Sequence, residues 1–212
     1  RLDQAAEGLL ALGERAASAP SQNPFFAAHA ILTDRGPSLL QAFRIEFVAA
    51  HDATMADLER PLILPVTEDS SELCLVEDDD FERELVIGKL STRADQHCSQ
   101  PLAALEQRVA TLLQDRLLIR MDNPLGPKAL FAAFLAACRA RGAPDQVDLA
   151  LLQEFARQVT DTLPAIYHEL NRYLAGHGVL PNLPLGAAPP MDAGMALPGP
   201  RTTADVQQNP AV

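Results

Sequence analysis

Between Val147 and His177 the apolar residues Leu152, Phe155, Val159, Leu163, Ile166, Leu170 and Leu174 recur at steps of three or four. That spacing marks one face of a helix. Gln153, Glu154, Arg157, Asp161, His168, Glu169 and Arg172 supply the polar side. A helix divided in this way must bury its stripe against other elements. The pattern predicts one continuous helix over 147–177, kinked where Pro164 cannot donate to the carbonyl of Thr160.

The segments that must cover this stripe also read as helices. Residues 2–18 form a first helix, closed by Ala19-Pro20. Asn23-Pro24 is a start signal for a second, and Gly36-Pro37 ends it. A third runs from Ser38 to about Glu59. Pro61 and Pro65 force an extended connection. Residues 66–76 have some strand character around Leu73 to Val76, too short for a sheet. Asp78 or Asp79 caps a fourth helix, which reaches about Cys98. Its Leu85, Val86, Ile87 and Leu90 point to several sides, so deep packing is expected.

Pro101 opens a fifth helix, whose Leu102, Leu105, Val109, Leu112 and Arg116 form a narrow seam. Asn123-Pro-Leu-Gly-Pro127 is a rigid corner. The helix that follows is stopped by Arg141-Gly142-Ala-Pro144. The expected fold is all-α: an irregular bundle of about seven helices over residues 1–180, with an extended Pro-rich tail over 181–212. Seven of the seventeen prolines fall in that tail, a composition typical of a linker.

Composition narrows the function classes. The chain is 48% apolar but has no Trp and two Tyr, so Leu and Ala must do most of the packing. Its net charge is −11. Duplex nucleic acid demands a cationic footprint, and an anionic membrane surface demands the same. No apolar run approaches the ~20 residues of a membrane span. Cys74, Cys98 and Cys138 are odd in number and lack disulfide-framework spacing, so they read as free thiols in a cytoplasmic protein.

The most distinctive candidate site is an acidic run. After Glu68, Asp69 and Glu72 come Glu77, Asp78, Asp79, Asp80, Glu82 and Glu84, with Arg83 the single base among them. These last six carboxylates are the candidate partner-binding residues, suited to a basic protein. The run lacks the spacing and the glycine of a calcium loop. A solvated linker leading into a well-capped helix start gives the same residues.

Other groupings carry less chemistry. His97 and Cys98 are neighbours and point about 100° apart on a helix, which does not chelate a metal. Cys138 lies on an apolar stripe. His168, with Tyr167 and Glu169, falls on a polar helix face, and His29 and His51 are isolated. The two prolines of the 123–127 corner remove the N–H donors that a phosphate cradle relies on. No catalytic, cofactor-binding or metal-binding residue is assigned.

Several stretches are familiar in combination: Leu73-Cys-Leu-Val-Glu-Asp-Asp-Asp80, Gln100-Pro-Leu-Ala-Ala-Leu-Glu-Gln-Arg108, Asn123-Pro-Leu-Gly-Pro-Lys-Ala-Leu130, Phe155-Ala-Arg-Gln-Val159, Leu163-Pro-Ala-Ile-Tyr167, Leu170-Asn171 and Gly178-Val-Leu-Pro181. Over roughly residues 25–185 they resemble the N-terminal portion of a family of long proteobacterial proteins of unknown function. Members are often mislabelled thymidine phosphorylase. Some members carry a C-terminal module resembling the PilZ type that binds cyclic di-GMP, which implies a signalling effector or adaptor. This chain has no Gly-rich phosphate loop and no PilZ-like signature, so neither phosphorolysis nor a cyclic di-GMP site is expected in it.

The expected function is therefore a non-catalytic protein-interaction or scaffolding domain of a larger bacterial cytoplasmic regulator. The alternative is a small-molecule or nucleotide sensor with an inter-helix pocket. Expected partners are a protein, with a basic one suited to the acidic run, or a second copy joined through the 181–212 tail. Nucleic acid, membrane insertion and a cofactor are not expected.

Overall fold

The computed structural model describes residues 2–59, 78–112 and 123–183. The expected strand character at 66–76, the end of the seam at Arg116 and the tail beyond Leu183 lie outside them. The helices are α1 (Leu2–Arg15), α2 (Ala19–Glu59), α3 (Asp78–His97), α4 (Ser99–Leu112), α5 (Pro127–Ala140), α6 (Val147–Thr160) and α7 (Leu163–Gly176). The described residues are 85% helical and hold no strand, so the fold is all-α.

The number seven agrees with the sequence reading, but two boundaries do not. Residues 19–59 are one helix of 41 residues that passes through Pro24 and Pro37. It starts before Asn23, where Ser18 and Ser21 bond reciprocally: the Ser18 N–H donates to Ser21 Oγ at 3.2 Å, and the Ser21 hydroxyl donates to the Ser18 carbonyl at 2.8 Å. This is the return half of a capping box, the Ser21 N–H itself going to the Ser18 carbonyl. The interruption expected at Gly36-Pro37 is overridden by packing. A Cβ on Gly36 would sit 3.3 Å from Leu2 Cδ1, and one on Gly13 would sit 3.0 Å from the Phe26 ring. α1 therefore lies antiparallel along the first half of α2 and braces it across the proline, whose local cost is one lost backbone bond and some ring crowding.

The second correction concerns 147–177, which is two helices rather than one. At the break the Thr162 N–H donates to the Val159 carbonyl at 2.8 Å. The hydroxyls of Thr160 and Thr162 donate to the carbonyls of Ala156 and Val159 at 2.7 and 2.8 Å. Hydroxyls that occupy carbonyls in this way compete with helix propagation, and Pro164 has no N–H to restore it. The buried face turns at the break. On α7 the buried residues are Leu163, Tyr167 and Asn171, while Ile166 is exposed.

The core forms around the middle of α6. Leu151, Leu152 and Ala156 meet Leu9 of α1, Leu39 of α2 and Phe131 and Phe134 of α5. The Phe134 and Phe155 rings stack at 4.0 Å, and Phe43 meets them edge-on at 5.8 and 5.2 Å. Such edge and offset contacts add to simple burial. The corner before α5 is rigid as expected. Asn123 Oδ1 accepts the Leu125 N–H at 3.0 Å, and the Tyr167 hydroxyl donates to the Leu125 carbonyl at 2.8 Å. Tyr167 is thus a buried clamp, not part of a polar helix face.

Candidate functional site

Helix α3 begins in the acidic run and is pinned from one side. Its inner face is Arg83, Ile87, Ser91 and Ala94, all buried. Arg83 is the anchor. Its Nε donates to Asp148 at 3.1 Å, its Nη1 to Asp80 at 3.3 Å, and its Nη2 to Asp145. Burial works against the guanidinium's charge, but the bonds and charges of Asp148 and Asp145 outweigh it, and its pKa is raised. Asp148 is itself wholly buried. This node ties α3 to the start of α6.

Of the six candidate carboxylates, Glu77 lies outside the described residues, and Asp78 and Asp79 are placed only as helical backbone. Asp80 bonds to both Arg83 and Arg139, the latter at 3.4 Å, so it serves the fold. Glu82 and Glu84 are exposed. Arg83, which the sequence presents as the one base of a solvated run, belongs to the interior.

The outer face of α3 corrects a further expectation. Leu85 does not pack deeply but is 47% exposed, and Phe81 is 63% exposed. Phe81, Leu85, Gly88 and Thr92 follow one another at steps of four, three and four, so they form one ridge. With Glu84 and Lys89 they line a shallow, open groove along the surface of α3 itself. A soluble helix normally turns such residues inward. The apolar residues of α3 are evident in its sequence, but the rotation that leaves Phe81 and Leu85 outside is fixed by Arg83, through a partner 65 residues away.

Gly88 sharpens the point. A Cβ there would meet nothing within 4 Å, so the domain's own packing gives no reason for a glycine. Gly88→Ala is expected to stabilise the chain by about 1 kcal/mol, the helix-propensity difference at an open position. Urea titration checks this. An unchanged or lower midpoint would mean that the site is not open.

A second polar node joins α4 to α7. Arg108, 1% exposed, donates through Nη1 to Asn171 Oδ1 at 2.7 Å and through Nη2 to the carbonyls of Leu180 and Leu183 at 3.3 and 3.0 Å. Burial lowers its pKa. The amide of Asn171 donates to the carbonyls of Pro101 and Tyr167 at 2.7 and 2.8 Å. The node fastens residues 180–183 to the bundle. It presents no reactive group to solvent.

Between α1, α2, α5 and α6 lies an apolar pocket of about 230 Å³, lined among others by Leu2, Leu9, Leu39, Phe134 and Phe155. Glu154 borders it but is held by Arg157 at 2.7 and 2.8 Å and by Gln158 at 2.9 Å.

Cys98 and Cys138 are buried thiols. Burial, helped by the Asp148 charge, pushes Cys138 from an ordinary 9.0 up to about 12, and burial also raises Tyr167. Between pH 9 and 12 the native chain keeps the Cys138 proton that the unfolded chain has released. Stability should therefore fall as pH rises through that window, by up to about 1.4 kcal/mol per unit from this thiol. Denaturation at pH 8, 9 and 10.5 checks the slope, which Cys138→Ala should reduce.

Among the described residues no group of three or more His, Cys, Asp or Glu side chains is placed to hold a metal. No described helix is long and apolar enough to cross a membrane.

Over residues 1–178 the chain matches the family model described as the N-terminal domain of a protein of unknown function (DUF1631). The chain belongs to the DUF1631 family. The matched span of this DUF1631 domain runs from α1 to Gly178, which caps α7 with φ +84°. The sequence resemblance therefore holds for the family of unknown function and for the N-terminal position within it. No curated protein and no solved structure matches the DUF1631 domain.

Proposed function

We propose that this DUF1631 domain is a non-catalytic protein-docking domain of a larger bacterial cytoplasmic regulator, and that the outer face of α3 is its docking surface. The observation that carries this reading is the exposed ridge of Phe81, Leu85, Gly88 and Thr92. It is held outward by an inner face anchored at Arg83 and Asp148. Apolar anchors beside small residues, with charges at the rim, are the ingredients of a helix–helix contact. Glu82 and Glu84, both exposed, are rim charges in this reading.

The test places a photo-crosslinking amino acid at Leu85, with a control at exposed Gln153 on α6, in cells that express the chain. A protein adduct from position 85, absent from 153 and lost with Phe81→Ser, supports docking. No adduct, or equal adducts from both positions, overturns it.

The pocket among α1, α2, α5 and α6 favours a second reading, a sensor of a small apolar molecule. Its lining is unsuited to nucleotide phosphates, because Leu and Phe side chains offer them no donors. Decanoate should raise the melting temperature and Ala5→Phe should abolish the rise. No rise with decanoate removes this reading.

A further inference from the structure

We infer that the occupant of the α3 groove is α3 of a second copy, packed antiparallel. The inference rests on the docking reading and names its partner. The groove is complementary to itself. In an isologous contact, residue i meets j and j meets i. An antiparallel pair centred between Val86 and Ile87 sets Phe81 at the level of Thr92 of the other copy, and Leu85 at the level of Gly88. Each bulky residue thus faces a small one. The space above Gly88 is open, since a Cβ there meets nothing within 4 Å.

Charge follows the same symmetry. The first half of α3 carries Asp78, Asp79, Asp80, Glu82 and Glu84 against the buried Arg83, and the second half carries Lys89 and Arg93 against one acid, Asp95. Antiparallel pairing lays the acidic half of one copy along the basic half of the other. Parallel pairing would lay acid against acid. A purely basic partner would meet Lys89 on the groove wall and Arg93 beyond it, so the mixed charge pattern favours the chain's own helix. A 20-residue helix is only about 30 Å long, and one such pair falls at the small end of specific interfaces. The dimer is therefore concentration-dependent. The expectation of association through the 181–212 tail falls outside the described residues and is not needed here.

The test uses the full 212-residue chain with Cys74→Ser, since Cys98 and Cys138 are buried. Phe81→Cys and Thr92→Cys chains are oxidised separately and as a mixture, and the unmodified chain is followed by sedimentation equilibrium. The mixture should form a disulfide-linked dimer at least about tenfold faster than either chain alone. The mass of the unmodified chain should rise towards twice the monomer with concentration, and Gly88→Leu should hold it at the monomer. Preferential 81–81 linkage, or a monomer at every concentration without linkage, overturns the proposal. If the Leu85 photoprobe still captures a different protein, docking survives and self-pairing fails. If it captures nothing, both fail.

Discussion

Asp148→Ala is expected to destabilise the domain by about 3–5 kcal/mol, the usual result of removing one partner from a buried ion pair. The carboxylate is fully buried and bonds to Arg83 Nε. It also accepts the Leu149 N–H at 2.6 Å, which it would leave unsatisfied on removal. Asp145 and Asp80 would remain near the guanidinium, but both lie largely in solvent. The double variant Arg83→Met, Asp148→Leu should recover most of the loss, because no buried charge is left alone. Urea titration of the two variants decides the matter. A loss under 1 kcal/mol for Asp148→Ala would show that Arg83 does not anchor α3.

Asn171→Leu is the second large effect, expected at about 3 kcal/mol. The side chain orients Arg108 and ties α7 to the Pro101 carbonyl, so the change removes the acceptor of one buried guanidinium N–H and the side-chain bond between α4 and α7 together. The loss should be felt at a distance. Arg108 holds the carbonyls of Leu180 and Leu183, and a misplaced guanidinium releases them. Hydrogen exchange should speed up at the Leu183 amide, which bonds to the Leu180 carbonyl, more than in the core of α5. Equal acceleration in both regions would indicate general loosening instead of a released exit segment.

Local pattern carried the fold class but not its partition. Helical spacing marked the helical segments but split α2 and joined α6 to α7, and Asn123-Pro124 and Gly142 marked a corner and a stop correctly. Pro37 misled because its effect was decided by Leu2 of α1, far away in sequence. Pro164 broke its helix because it has no N–H for the Thr160 carbonyl and the turn before it tightens, the Thr162 N–H and hydroxyl both going to the Val159 carbonyl. The polar nodes were illegible for a related reason. Arg83 with Asp148 and Arg108 with Asn171 are separated by more than sixty residues, and nothing in either local stretch reveals that a charge goes inward.

The candidate site shows the same limit. The acidic run was visible as composition, but which carboxylates serve the fold depended on Arg83 and Arg139. The outer ridge became visible only once the inner face was fixed. Phe81 and Leu85 have the spacing of core residues, and only their exposure sets them apart.

Phe81 and Leu85 are proposed to belong to an external contact and not to the domain's own core. The direct measurement is the unfolding free energy of the Phe81→Ser, Leu85→Ser double variant at low protein concentration. The account predicts a change within about 0.5 kcal/mol per site, as at exposed positions. A loss of several kcal/mol, as from truncating core side chains, would place both residues inside the fold and contradict it.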